Sequence, residues 1–559
     1  MRKTHVPIML IAIIALASCT KNFSDINTNK LGIPYGGSSN SGASTALQDA
    51  SGYLPTMMQY IYPSNGAPGV ASWVYQIQQN FNSDIYCGYW MMAGGFGHGN
   101  NVESNYYLYQ GWDDYLFDSW TSIMNPFLSI QTSAWTYPTP VNQTALGMAY
   151  ATKVMVSVRV ADAEGTLPYT SFGSSNTSYD SLGKIYNTFF SELDSALAYL
   201  AMQNTSTINV TKDYFYSGNV ASWITLTNSL RLELAMRIVK ANPILAEAQA
   251  EKAMTTGNLI TSNSQNATFV PPFEGALTTL NYTWGVGNTV PGADVYSFLV
   301  GYNDPRLPVF LTPTNAANNT ASRVPIGKYC TMRLGSVSVP GDTALSDYMF
   351  SLPGTGIPQS GSLCSNNPSS STFFNAAETN FLLAEASLRS WNMGTFTSGA
   401  QSYYNAGVQA SMNQWNVPIG NYLATSAAPA SFTDPTLAAR DISAVSTCSP
   451  NWADAQTNEA HLEQIITQKW IALWPANSPV AWAEYRRTGY PKLFPAYFCA
   501  VAPTISWGNL TVDNARKIML PNNEYLNNTA NVYNAINEYL GGTDAITTHV
   551  WWDVNAANF

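Results

Sequence analysis

The sequence predicts a mainly α-helical protein: a tetratricopeptide-like helical scaffold interrupted by a long irregular, loop-rich insert with few short strands. Three observations lead there. Apolar residues recur at helical spacing in several windows before residue 261 and again after residue 373. Consecutive windows follow one another closely, which suggests antiparallel helix pairs, although no strict repeat period appears. Between the two helical parts, residues 262–372 are dominated by Pro, Gly, Asn and Ser, with only short apolar runs.

The elements follow in order. Arg2 and Lys3 precede an apolar stretch from Val6 to Ala17, shorter than the roughly 20 apolar residues that cross a bilayer. A basic start, a short apolar core and small residues at its end describe a secretory signal over residues 1–18. Leu16-Ala17-Ser18-Cys19 fits the bacterial lipobox, in which the cysteine sulfur takes a diacylglyceryl group. Cleavage before Cys19 frees its amine for a further acyl chain. At about 0.8 kcal/mol per buried CH₂, several chains make a lasting anchor. Residues 19–45 read as the lipidated N-terminus and a tether, since KLGIPYGGSSNSGAS is rich in Gly and Ser.

The folded part runs over 46–559, as a helical scaffold (46–261), the insert (262–372) and a second helical part (373–559). In the first part Leu182, Ile185, Phe189, Leu193, Ala196, Leu197 and Leu200 share one helix face. A second window spans 217–240, where Leu230, Leu234 and Ile238 recur every four residues, and Pro243 opens a third that Gly257 ends. In the last part Phe381, Ala384, Leu388 and Trp391 are in phase. YYNAGVQASMNQW follows, and then a window carrying Leu462, Ile465, Ile466, Trp470 and Leu473.

Composition narrows the function. Charged residues make up 10% of the chain and aromatics 13%, the reverse of a disordered composition. A net charge of -10 and the lack of any basic cluster argue against nucleic acid as a partner. Of six cysteines, Cys19 belongs to the lipobox; Cys87, Cys330, Cys364, Cys448 and Cys499 lie far apart without a C-x-x-C pair. They read as small buried hydrophobes, with a Cys330–Cys364 bridge as an unsupported option. No metal or cofactor is expected: His98, His461 and His549 have no partner at ligand spacing. Walker, nucleophile-elbow and zincin motifs are absent. Asp113-Asp114 invites a glycosidase reading, yet adjacent acids on a helix diverge, and a surface or packing role is the better reading.

Aromatic density says more. YCGYWMMAGGFG (86–97) and LNYTWGVGN (280–288) set Tyr and Trp beside glycines. Flat rings with neighbouring amides suit stacking on sugar faces; the competing reading is that they cover the core beneath long loops. Tyr89, Trp90, Tyr282 and Trp284 are the candidate ligand-binding residues, and no residue is expected to be catalytic.

The stretch QIITQKWIALWPANSPVAWAEYRRTGYPKL (464–493) strongly resembles the SusD/RagB-type nutrient-binding outer-membrane lipoproteins of Bacteroidetes, in their SusD-like branch. The likeness recurs in order along nearly the whole mature chain. It takes in the lipobox with NFSDINTNK, ADAEGTLPYT (161–170), YSGNVASWITLTNSLRLELAMRI (216–238) and YNDPRLPVF (302–310). It continues through ETNFLLAEA (378–386) and YNAGVQASMNQW (404–415) to RKIMLPNNEYLNN (516–528). These phrases make sense as structure. Arg486 and Arg487 read as clamps on backbone carbonyls, Gly489 and Pro491 as a turn, and Arg306 as a partner for Asp304 or a more distant carboxylate.

The resemblance implies a lipid-anchored outer-membrane protein, exposed at the cell surface. It would capture an oligosaccharide, or a peptide, and close over the mouth of a SusC-like TonB-dependent barrel as a binder and not an enzyme. The loops carry no family motif, so no ligand residue transfers. Two alternatives stay open: an all-helical glycoside hydrolase, and a structural adaptor of the transporter that binds no ligand.

Overall fold

Helix ends are fixed by local chemistry that the sequence displays. In the computed structural model, the longer helices are α1 (Asp114–Thr136), α2 (Pro140–Glu164), α3 (Leu182–Ala201), α4 (Val220–Arg237), α5 (Pro243–Thr255), α6 (Ala293–Gly301), α7 (Ala376–Leu388), α8 (Ala400–Gln414), α9 (Asn458–Leu473), α10 (Ser478–Thr488) and α11 (Thr529–Tyr539). Thr139, Ser181, Asn219, Asn242, Asn375 and Thr457 each accept a first-turn backbone N–H, of α2, α3, α4, α5, α7 and α9 respectively. They satisfy donors that a helix otherwise leaves open. Pro140 and Pro243 stand in first turns, where the missing N–H is no loss. Gly165 and Gly489 end α2 and α10 in the left-handed region.

The structure describes residues 49–63, 67–71, 73–93, 103–106, 111–112, 114–202, 212–273, 289–315, 322–336, 349–356, 370–497 and 515–559. The chain divides into Met1–Asp49 and Ala50–Phe559; the fold described is that of the second unit. Consecutive helices pack on one another: α1 on α2, α2 on α3, α4 on α5, and α7 on α8. α7 also packs against α9 and α4, which joins the two helical parts. One main core runs through the unit, from Leu54 through Trp223 and Phe381 to Trp552. Strands are few and short. They pair antiparallel as β1 (Trp90–Met92) with β5 (Thr289–Pro291), β2 (Thr166–Leu167) with β3 (Asp180–Ser181), β4 (Ala267–Phe269) with β8 (Ser371–Phe374), and β6 (Leu311–Thr312) with β7 (Leu352–Pro353). No described helix is long and apolar enough to cross a membrane.

The fold is mainly helical, as the periodicity predicts, with one difference inside the insert. Residues 293–301, expected among loops and strands, form α6. Its nine residues are mostly buried, so they show no polar stripe from which a helical period could be read.

A buried ionic network ties α2, α4, α7, α9 and α10 together. Arg487 on α10 pairs both its Nη atoms with Glu385 of α7, at 2.7 Å each, and reaches Glu484 at 2.5 Å. Arg237 on α4 pairs with Asp162 of α2 and with Glu233 at 3.0 Å. Lys469 on α9 lies 3.3 Å from Glu378 and 3.8 Å from Glu484. All these side chains are buried, so each charge depends on its partners. Arg486 fits the carbonyl-clamp expectation, donating to Asp162 O at 2.6 Å and Arg516 O at 2.8 Å. Arg487 does not. Carboxylates take its Nη donors, because Glu385 and Glu484 are buried and need a counter-charge. Arg306 pairs with Asp304, at 2.9 Å through Nε and 2.6 Å through Nη2.

Candidate functional site

Two three-residue strands bring together segments that lie far apart in the sequence. In the β1–β5 ribbon Trp90 lies opposite Pro291 and Met92 opposite Thr289. Antiparallel pairing sets the end of β1 beside the start of β5. Met92 and Thr289 therefore stand together at one end of a single ribbon. Two glycines permit the approach. A Cβ on Gly292 would sit 2.2 Å from Gly88 O, and one on Gly88, at φ +80, would sit 2.9 Å from Asp294 Oδ2.

Two further segments are bonded to the same end. Ser104 Oγ accepts the Met92 N–H at 2.5 Å. The Gly335 N–H donates to Ser104 O at 2.6 Å, and the Tyr497 N–H to Leu334 O at 2.9 Å. So Leu334, Gly335 and Tyr497 are hydrogen-bonded into the same framework. Asp294 fixes the approach to Tyr497, accepting the Phe494 N–H at 2.7 Å. Burial pushes its carboxyl up to about 7.

Tyr497 supplies an exposed aromatic ring at this junction, with 37% of its surface accessible. The guanidinium carbons of Arg333 and Arg440 lie 5.8 and 5.4 Å from its centroid, close enough to hold the ring by cation–π attraction. Arg333 is itself fixed, donating to Pro495 O at 2.9 Å and to Arg440 O at 3.1 Å. A ring held this way can meet a sugar face at little further cost in rotamer freedom. Sequence reading did not single out Tyr497; the only signal is the aromatic, proline-broken run LFPAYF, which has no period.

The sequence-predicted residues fall differently. Tyr89 and Trp90, expected as exposed loop rings, are fully buried core residues. The Tyr89 hydroxyl donates to Trp470 O. Trp90 Nε1 donates to Pro475 O at 3.1 Å, and its ring stacks on Trp474 at 5.4 Å. Gly88 beside them serves the close approach of the β5 end and not a free loop, so neither ring offers a face to a ligand here. Tyr282, Trp284 and Cys19 lie outside the described residues, as do Asp113 and His98. Asp114 accepts the Asn522 N–H at 2.5 Å, a packing role. His461 stacks on Trp452 at 3.9 Å, and His549 lies 3.1 Å from Asp553. Cys87, Cys330 and Cys448 carry free thiols, so the bridge considered for Cys330 is not formed. Cys364 and Cys499 lie outside the described residues. Among the described residues no three His, Cys, Asp or Glu side chains converge to hold a metal.

A small cavity of about 50 Å³ lies between Gln78, Gln79, Arg159 and Arg237. It has room for a few waters, far less than the roughly 300–1,000 Å³ of small-molecule sites.

Known proteins share this fold and part of this sequence. The family described as "Susd and RagB outer membrane lipoprotein" matches residues 25–553. A chitin-binding SusD homolog from Flavobacterium johnsoniae shares 32% identity, with TM-score 0.78, covering 91% of this chain and 100% of its own. A SusD homolog from Bacteroides vulgatus has 28% identity and TM-score 0.79 over 92% and 100% of the two chains. One from Bacteroides uniformis has 30% identity and TM-score 0.74 over 91% and 99%. Among curated proteins nothing matches.

Proposed function

The chain belongs to the SusD/RagB family of outer membrane lipoproteins, and from that premise we propose that it captures a nutrient glycan at the cell surface and delivers it to a SusC-like TonB-dependent barrel. Cys19 carries the lipid anchor. The described end of the β1–β5 ribbon forms the capture site, with Tyr497 as a fixed platform; Tyr282 and Trp284, outside the described residues, are the further candidate stacking rings. The ligand leaves chemically unchanged; enzymes elsewhere do the cutting.

The observation that carries this reading is the hydrogen-bonded convergence of Met92, Thr289, Ser104 and Leu334–Gly335 beside an exposed tyrosine. Aromatic walls with a few polar groups are a common means of holding a pyranose. The Flavobacterium relative makes chitooligosaccharides the first probes, with other neutral glycans and peptides behind them.

Titration calorimetry of the lipid-free chain is the test. A glycan should bind, and Tyr497→Ala should weaken it several-fold, as expected for loss of one aromatic contact of about 0.5–1.5 kcal/mol. Chromatography of the same mixtures should show the glycan intact. Binding of peptides alone would move the ligand class. Glycan cleavage abolished by changing one carboxylate would overturn the binder reading in favour of a hydrolase.

A further inference from the structure

A second concavity of about 820 Å³ opens where the C-terminal end of α10 meets residues 547–558. It lies within the roughly 300–1,000 Å³ range of small-molecule sites and shares no lining residue with the ribbon framework. Its wall gathers Lys240, Arg486, Arg516 and His549 against two acids, Glu459 and Asp553; Arg487, also on the wall, is already paired with Glu385 and Glu484.

Helix-end chemistry fixes these cations. The last carbonyls of α10 need donors, and basic side chains favour a helix C-terminus. Lys240 Nζ donates to Arg487 O at 3.0 Å and Arg516 Nη1 to Arg486 O at 3.3 Å. The two acids are already engaged. Asp553 lies 3.3 Å from Arg516 and 3.1 Å from His549, while Glu459 takes two neutral donors on its Oε1, the Tyr490 hydroxyl and Asn558, each at 2.8 Å, and keeps its charge. Arg486 is buried between Trp482 and Trp552, 3.6 and 4.6 Å from their centroids, and its Nη1 bonds are to carbonyls. Its Nε has no hydrogen-bond partner among the described residues. Lys240 is half-buried, and its carbonyl bond uses one of three donors. In a chain of net charge -10, the wall's Lys240, Arg486 and Arg516 exceed Glu459 and Asp553 by one positive charge, and the spare donors are those of Lys240.

We propose that this cleft is a second binding site, for a ligand bearing a carboxylate, with Lys240 as its direct donor and Arg516 beside it. A charged acceptor matches the Lys240 donors and the one excess positive charge, which a neutral pyranose would leave uncompensated. The carboxylate comes either from a uronic acid or from the end of a peptide.

Calorimetric titration of the lipid-free chain with digalacturonate, its methyl ester and dialanine decides the matter. One or both acids should bind, and the ester, which keeps the shape and loses the charge, should bind at least about tenfold more weakly. Digalacturonate binding alone makes the source an acidic glycan; dialanine binding alone makes it a peptide. Lys240→Met should lose a similar factor, with a fall in melting temperature no larger than loss of its one bond to Arg487 O explains, while Lys240→Arg retains much of the affinity. Absence of binding by either acid at millimolar concentration overturns the proposal. Equal binding of acid and ester overturns it as well, on the unaltered protein and with no variant needed.

Discussion

Replacing Arg487 by Met removes the cation that serves two buried carboxylates at once. Arg487 meets Glu385 through two bonds of 2.7 Å and Glu484 at 2.5 Å, and all three side chains are at most 2% exposed. Breaking a buried pair by removing one partner costs about 3–5 kcal/mol. Here each acid keeps another neighbour: Arg389 lies 2.8 Å from Glu385, and Arg237 and Lys469 lie 3.5 and 3.8 Å from Glu484. The expected loss is therefore at the lower end, about 3 kcal/mol at pH 7. Burial pushes both carboxyls up, but Arg487 and the cations beside it outweigh burial and hold them below the usual range. Stability gained from such groups is complete above their unfolded value of about 4.3 and disappears as pH falls through the lower folded values. In Arg487→Met the acids protonate more readily, so the gap between parent and variant should narrow as pH falls below about 4. Urea unfolding followed by tryptophan fluorescence, at pH 7 and in acid, measures this. A loss under about 1 kcal/mol at neutral pH would refute the reasoning, and so would a gap that widens in acid.

Gly407→Ala on α8 puts a Cβ 2.7 Å from the Phe381 ring of α7. Overpacking of about 1–3 kcal/mol outweighs a helix-propensity gain of about 1 kcal/mol, so calorimetry should show a lower melting temperature; a rise would mean that the ring swings aside. Trp90→Ala should cost about 3–5 kcal/mol of stability while the folded fraction keeps its glycan affinity. Weakened binding at unchanged stability would make Trp90 a ligand residue after all. Cys19→Ala should leave the protein in the soluble fraction after membrane sedimentation, and retention with membranes would reveal a second anchor. His549 gains a proton more readily through its bond to Asp553, although burial and Arg516 oppose it. The stability it contributes is present below its unfolded value of about 6.5 and is lost as pH rises through the higher folded one. His549→Gln should accordingly lower the melting temperature in mildly acidic buffer and change it little in alkaline buffer.

Legibility followed from whether a side chain's sequence neighbours are also its spatial ones. α3 could be read because its stripe faces one way: Ile185, Phe189 and Leu193 are buried while Ser191, Asp194 and Ala198 are exposed. α2 gives no such stripe, since most of its length is enclosed on all sides, Thr152 and Asp162 included. Arg306 was legible because its carboxylate is two residues away, whereas the Arg487–Glu385 pair spans 102 residues and has no local signature. At the candidate site, glycine beside an aromatic was read as freedom. In Gly88-Tyr89-Trp90 it marks a place where two backbones nearly touch, so the rings turn inward. No local pattern distinguishes those cases, because the partner strand lies far along the chain, at Thr289–Pro291.

The ribbon has an engineering consequence. Its three residue pairs, with the bonds from Ser104 and Leu334, work as a clasp that holds residues from distant parts of the chain in one register. A clasp of this kind concentrates intolerance to change at Gly88 and Gly292, where any side chain would press on Asp294 or prise the two backbones apart, and leaves the helical frame to its own caps and ion pairs.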